Sequence, residues 1–451
     1  MPRTASFRTL ALALVLTGPV AVSAAQPAPP PGEPSPVFRL TLAEALARGV
    51  EASHRLGELG AREDAARATA DSAKASRLPQ LALQAGYTRT NHVDEYGLPQ
   101  PDGRLRVIYP DVPDNLRTRL DLQWLAYSGG RVEALARAAL AEADASRADR
   151  AAQRVDVRLD VARAYWGLVT ARDAVRGVEQ ALERVRASLR DARARLASGF
   201  VPPSDVLSAE AQESLQRALL VEAQNAERVA ALQLARVLGL PPAARVEPTE
   251  PLDAAPAAPA DVAALVAEAK GAREDRRALE ARLTALGARR DAAAAGSRPS
   301  VVVSSGVDYA RPNPRIFPRA AAWHDSWDVG IAATWSLFDG GRVRAEVSAA
   351  EATQRALAER LADLDTAIDL EVRQRALEVD SWRARAAAAA RAVRSAAEAR
   401  RVLQDRHDAG VATSTEVLDA QVLLLQAELD RVRALASARV AQAALDRALG
   451  R

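Results

Sequence analysis

The sequence feature that most constrains the fold is an internal duplication with an almost constant spacing. Gly129-Gly130-Arg131-Val132 recurs 211 residues later as Gly340-Gly341-Arg342-Val343, and the two copies align from there to the C-terminus without a gap. A repeat of this length predicts two related halves, residues 41–240 and 261–451. Residues 241–260 are rich in proline, and we expect them to link the halves.

Each half contains three predicted helices, of which the middle one is unusually long. They are 42–76, 130–198 and 203–238 in the first half, and 262–296, 341–409 and 414–449 in the second. Apolar residues along the first long helix, from Val157 to Leu196, recur alternately every four and three residues, which is typical of coiled-coil packing. A helix of about 70 residues is roughly 105 Å long, and no compact globular domain needs such a rod.

A β-hairpin is predicted between the first two helices of each half. Its strands are expected at about 80–90 and 115–127 in the first half, and at about 300–309 and 326–338 in the second. Alternating apolar and polar residues end in Trp124 and Trp335 at equivalent positions. A sheet covered on one face inside a soluble protein would show the same alternation. Strands of about ten residues bounded by tryptophan also fit a tilted crossing of a bilayer, but four strands cannot close a membrane barrel, so copies must associate.

The N-terminus has the pattern of an export signal. Arg3 and Arg8 precede the apolar stretch 10–22, so residues 1–25 are predicted to be a cleaved signal peptide, followed by a proline-rich lead-in, 26–40. Without the signal peptide 59 basic residues face 58 acidic ones, and the two signs interleave, which argues against nucleic acid as a partner. The chain has no cysteine and therefore no disulfide and no lipid-modified cysteine.

Several short motifs occur in a specific order in the two halves. They are Leu42-Ala43-Glu44-Ala45-Leu46, Ser76-Arg77-Leu78-Pro79-Gln80, Trp335 through Arg342, and Ala409 through Gln421. In this order and duplicated spacing they resemble the TolC family of outer-membrane efflux proteins. The resemblance implies a mainly α-helical chain with membrane β-strands. It also implies a homotrimer whose twelve strands close one β-barrel in the outer membrane, continued by a helical barrel in the periplasm.

The resemblance also implies a function and partners. The chain would be a passive exit duct in contact with outer-membrane lipid, and it would work with a periplasmic adaptor and an inner-membrane pump of the RND or ABC type. The alternative is a soluble periplasmic coiled-coil adaptor or scaffold, in which the hairpins form small sheets.

Acidic residues at the start of the last helix are candidate pore residues. Glu416 and Asp419 lie three residues apart and share a helix face. The resemblance implies that they ring the periplasmic constriction of the pore, and Asp205 matches Glu416 in the first half. Capping of the helix after Thr413 explains Glu416 equally well.

A possible gate lies at the end of the second long helix. The resemblance places a latch residue at His407, with Arg406 as a candidate partner. A change of histidine charge near neutral pH would make closure pH-sensitive, whereas a solvated histidine at a helix end would have no such role.

The turns after the two long helices are the candidate adaptor-facing tips. Gly199 and Gly410 end these helices, and a helix-terminating turn accounts for both glycines. The resemblance implies that the turns contact the adaptor, which would explain exposure of Phe200, Val201 and Val411.

The sequence contains little that indicates an enzyme. Its four histidines are scattered, without metal-ligand spacing, and there is no phosphate-binding glycine loop or nucleophile elbow. We therefore predict no enzymatic activity, no catalytic residue, no cofactor and no metal site.

Overall fold

The computed structural model describes residues 37–259 and 261–451, and the predicted signal peptide lies outside this part. The elements of the first half are β1 (Val37–Leu40), α1 (Leu42–Glu51), α2 (His54–Ala75), β2 (Gln80–Arg89), β3 (Tyr96–Pro99), β4 (Leu105–Tyr109), β5 (Asp114–Tyr127), α3 (Arg131–Ala197), α4 (Pro203–Val237) and β6 (Arg245–Pro248). Those of the second half are α5 (Val262–Ala272), α6 (Glu274–Ala294), β7 (Ser300–Arg311), β8 (His324–Thr334), α7 (Arg342–Asp408) and α8 (Ser414–Ala448).

The two predicted long helices are present, and each has 67 residues. The predicted apolar seam of α3 is largely buried, as at Val161, Leu168 and Val185. Between the middle of the long helices and the turns that follow them, α3 packs against α4 and α8. Helix α8 in turn packs against α3 and α7. The helices therefore form a layer in which α3 and α8 are inside and α4 and α7 lie at the two edges.

Among the described residues no helix combines the length and the apolar character that a membrane crossing requires.

The prediction of one continuous helix at 42–76, and of another at 262–296, is wrong, because each is broken near its start. In the first half Ser53 is extended, and its hydroxyl accepts a hydrogen bond from the Leu56 backbone N–H, which begins a new helix. In the second half Arg273 is extended, and its buried guanidinium binds Asp275 and Glu371. Both breaks depend on contacts that helical periodicity does not report.

The lead-in and the proline-rich linker meet in a parallel strand pair that the sequence did not predict. Strand β1 pairs with β6 along its whole length, although they are 208 residues apart. The Tyr165 hydroxyl donates to the Leu40 carbonyl and accepts from the Glu250 N–H, both at 3.1 Å. Val246 is buried against the same core, so the pair covers the middle of α3 around Tyr165.

The two predicted hairpins are present and join in one antiparallel sheet with the order β2-β5-β7-β8. The last strand was predicted to reach residue 338 but ends at Thr334. A second small hairpin, β3 with β4, lies in the longer loop of the first half. It was missed because the prolines and glycines around it indicate a loop.

Candidate functional site

One face of the four-stranded sheet is apolar and exposed. A row formed by Leu83, Leu120, Val307 and Trp327 crosses all four strands, since each residue is the direct partner of the next. All four side chains are exposed in the single chain. An apolar surface of this extent marks an interaction with a membrane or with another protein.

Aromatic residues border this apolar face at both ends. Trp124 and Trp335, at the helical end, each donate the indole N–H to a backbone carbonyl just before the first strand of their own hairpin, at 3.0 Å. At the loop end the rings of Tyr309 and Trp323 stack with centroids 4.9 Å apart. Rings with one polar atom at the two rims of an apolar band are typical of the two interfaces of a bilayer.

The opposite face of the sheet is charged. The Arg119 guanidinium binds Asp121 at 2.6 Å, Asp328 at 3.0 Å, and also Asp308. Gly306 leaves space for this guanidinium, which a Cβ atom at that position would contact too closely. A sheet with one apolar and one ion-paired face fits a wall between lipid and a water-filled lumen.

The two tip turns have the same backbone. Gly199 and Gly410 have φ angles of 75° and 74°, in the left-handed region that favours glycine. Phe200 and Val411, which follow them, are exposed, and Val201 is partly buried. The exposed turns could be reached by a partner, and adaptor contact stays a prediction.

Glu416 caps its own helix. Its side chain accepts a hydrogen bond from the Thr413 N–H at 2.7 Å, and its N–H donates to the Thr413 hydroxyl at 3.3 Å. The backbone N–H and the hydroxyl of Thr413 hold the pKa of Glu416 below its ordinary value. Asp419 is exposed one turn later. The capping interpretation is therefore confirmed, while the ring of carboxylates stays a prediction.

Asp205, which matches Glu416 in the first half, has a different partner. It accepts a hydrogen bond from the Ser414 hydroxyl at 2.9 Å, across the junction of α4 and α8. The two equivalent carboxylates thus have different roles: Glu416 caps a helix, whereas Asp205 makes a contact between two helices.

His407 is buried, so the alternative of a solvated helix-end histidine is wrong. The last turn of α7 packs against neighbouring helices, and His407 Nε2 lies 3.3 Å from the Ser414 hydroxyl oxygen. Arg406 is exposed, and its guanidinium donates to the Val411 carbonyl at 3.4 Å. The hydrogen bonds of the structure therefore do not join His407 to Arg406, and the gate stays a prediction.

A cavity of about 440 Å³ lies beside His407, among α3, α4, α7 and α8. Ser188 and Gln421 line it, and the Gln421 amide donates to the Ser188 hydroxyl at 3.0 Å. Sequence reasoning missed both residues because they come from different halves. The one sequence feature that could have pointed to Ser188 and Gln421 is that each is a polar residue on an otherwise apolar helix face.

Residues 46–240 and 265–451 match the family model described as outer membrane efflux protein. The chain belongs to the outer membrane efflux protein family. This membership confirms the resemblance to TolC, the outer-membrane location and the class of an efflux channel rather than an enzyme. It does not support the alternative of a soluble scaffold.

Individual proteins agree with the family result. Protein CyaE of Bordetella pertussis (strain Tohama I) is 30% identical over 292 residues, which are 64% of this chain and 58% of CyaE. The outer membrane protein VceC of Vibrio cholerae is 24% identical with a TM-score of 0.75, over 91% of this chain and 96% of VceC. The MtrE outer membrane channel of Neisseria gonorrhoeae, solved in its open state, is 21% identical with a TM-score of 0.74, over 91% of this chain and 88% of MtrE. The fold is therefore that of an outer-membrane efflux channel.

Proposed function

We propose that this efflux protein is a passive exit duct, which conducts substrates from an inner-membrane pump and a periplasmic adaptor to the outside of the cell. Channels of this family are homotrimers that work with such adaptors and pumps. The pump would be of the RND or ABC type, and it would supply the energy. The chain itself would transform nothing and would carry no cofactor.

The observation that carries this proposal is the two-faced sheet. Its apolar face is exposed, and its other face is held by ion pairs around Arg119. The outer sides of its edge strands β2 and β8 pair with no strand among the described residues. Unpaired backbone groups at a sheet edge cannot face lipid. If β8 of one copy pairs with β2 of the next, three copies supply twelve strands, all edges disappear and the charged faces enclose the lumen.

The same proposal gives roles to the candidate residues at the periplasmic end of the duct. The acidic residues at the helix starts, Glu416, Asp419 and Asp205, would surround the constriction, where carboxylates favour cations. His407 and Arg406 would belong to the gate. The adaptor would contact the two tips, at Gly199, Phe200, Val201, Gly410 and Val411.

Neighbouring residues on one strand provide the test. Leu83 lies on the apolar face near the middle of β2, whereas Ala82 lies on the charged face opposite Asp121. An arginine at the middle of a lipid-facing surface costs about 2–4 kcal/mol. We expect Leu83→Arg to reduce the trimer recovered from outer membranes, and Ala82→Arg, which can pair with Asp121, to assemble normally.

The readout is the native mass of detergent-extracted protein together with its amount in the outer-membrane fraction. A trimer that tolerates arginine equally at both positions would contradict the lipid-facing assignment. A detergent-free soluble monomer would contradict the duct itself.

A further inference from the structure

The cavity beside the tips contains a histidine whose hydrogen bonding is incomplete. His407 is 9% exposed, and its Nδ1 atom has no hydrogen-bond partner within the described part of the chain. Gln421 is 4% exposed and lines the same cavity. Its Oε1 atom also has no hydrogen-bond partner among the described residues. Buried polar atoms are normally paired, so these two atoms are available to a ligand or to water in the cavity.

The neighbours of His407 determine which ring nitrogen carries the proton. The Asp205 carboxylate can only accept, so the Ser414 hydroxyl donates its one hydrogen to Asp205. The Ser414 oxygen must then accept from His407, and the Nε2 atom of His407, at 3.3 Å, is the donor. In the neutral imidazole the proton is then on Nε2 and the lone pair on Nδ1.

Two carboxylates lie beside this lone pair. Nδ1 of His407 is 3.6 Å from Oδ1 of Asp408, and Asp191 of α3 completes a group whose ligand atoms all lie within 4.8 Å of one another. Ligand atoms around a tetrahedral zinc ion, each about 2.0–2.2 Å from the metal, are about 3.3 Å apart. Small side-chain adjustments would therefore bring the three atoms to binding distance.

We propose that Asp191, His407 and Asp408 form a binding site for a divalent transition-metal cation of the zinc type. One imidazole and two carboxylates are ligands that zinc accepts, and the remaining position would hold water from the cavity. Asp205 and Ser414 fix the orientation of the ring, which is the usual role of the groups behind a metal-binding histidine. Because α3 and α7 belong to different halves, the bound ion would fasten the two halves together beside the tips.

When no metal ion is bound, Arg195 pairs with the two carboxylates of the proposed site. Its guanidinium binds Asp191 at 2.9 Å and Asp408 at 3.0 Å, so it holds the two carboxylates near each other. The Asp408 Oδ1 atom that Arg195 binds is also the one near Nδ1 of His407, so a bound ion would compete with Arg195 for it. Both carboxylate side chains are about half exposed, which gives an ion access from solvent. The arginine charge opposes a cation, so its removal should strengthen binding.

The test is titration of the untagged, full-length, detergent-solubilised protein with zinc by calorimetry, and with cobalt by visible absorption. We expect one ion per chain. His407→Gln should weaken binding at least tenfold, because glutamine retains an N–H for Ser414 but has no counterpart of Nδ1. Asp191→Asn and Asp408→Asn should also weaken it, and Arg195→Gln should strengthen it.

His54→Gln is the matched control, since His54 is exposed on α2 far along the sequence from the site. Circular dichroism shows whether each variant is folded. If His407→Gln does not fold, Asp191→Asn and Asp408→Asn test the proposal in its place. Equal zinc affinity in the wild type and in the folded ligand variants would overturn the proposal, as would absence of binding at millimolar zinc. All three ligands come from one chain, so failure here would leave the exit-duct function untouched.

Discussion

The two long helices have the same length and related sequences but opposite surroundings. Leu159 in α3 and Leu370 in α7 are equivalent residues, with exposed fractions of 8% and 57%. The return helices show the reverse, since Leu207 in α4 is 64% exposed and its equivalent Leu418 in α8 is 7% exposed. In each half one helix of the pair is inside and the other is at an edge.

This difference shows that duplication produced an open layer rather than a closed bundle. The inner helices α3 and α8 cover each other, and the edge helices α4 and α7 have apolar residues without cover in the single chain. Exposed apolar helix faces favour association. In the proposed trimer, α4 of one copy would cover α7 of the next, just as β2 would pair with β8.

The largest effect is expected from the leucines of α4 and α8. Leu418 packs with Leu189 and Val206, so Leu418→Ala should lower the free energy of unfolding by about 2–5 kcal/mol. Leu207→Ala should change the folding of the chain by no more than about 0.5 kcal/mol, because the side chain is exposed. It should instead lower the denaturant concentration at which the trimer dissociates.

Urea unfolding followed by circular dichroism, with native mass measured in parallel, checks both expectations. Equal losses of helix stability in the two variants would show that α4 and α8 are equally covered within one chain.

The second effect concerns ion pairs between the short and long helices. In the first half α2 supplies the acid, because Glu63 is buried and binds Arg150 at 3.2 Å and Arg147 at 3.5 Å. In the second half α6 supplies the base, since Arg276 binds Asp365 of α7 at 2.7 Å. Burial raises the pKa of Glu63, but the Arg150 hydrogen bond and the charges of the surrounding arginines outweigh it and hold the pKa below its ordinary value.

Glu63 therefore contributes stability that is present above its ordinary pKa and is lost as the pH falls through the lower value of the folded state. We expect Glu63→Gln to cost about 1.5–3 kcal/mol at neutral pH. The variant should lack part of the decrease in melting temperature on acidification. Asp365→Asn, at a less buried site, is the control, and an unchanged acid response in Glu63→Gln would contradict the assignment.

The smallest effect is expected at the two helix starts that follow the tips. Glu416→Gln and Asp419→Asn should each reduce cation selectivity in planar bilayers, and the change should shrink at high salt because both groups are exposed. Asp205→Asn should change selectivity less, since Ser414 holds Asp205 at the α4–α8 junction. An equal change in all three variants would place both helix starts in the constriction.

The sequence predicts those parts of the molecule that depend on local periodicity. Heptads predicted the long helices, and alternation predicted the hairpins, because each pattern reports which face of an element is buried. It did not predict the break at Arg273, where a buried ion pair with Glu371 accompanies the extended backbone. It also did not predict the group around His407, because Asp191 is 216 residues away and only the approach of the C-terminal ends of α3 and α7 brings them together.

The pairing of β1 with β6 has a consequence for the order in which the chain folds. Once residue 252 has emerged, the described core cluster around Tyr165 and Val246 lacks only Val440 of α8. Domains generally fold as units, the N-terminal one first during synthesis. The core of the first half can therefore be nearly complete before α5 to α8 are available to pack against it.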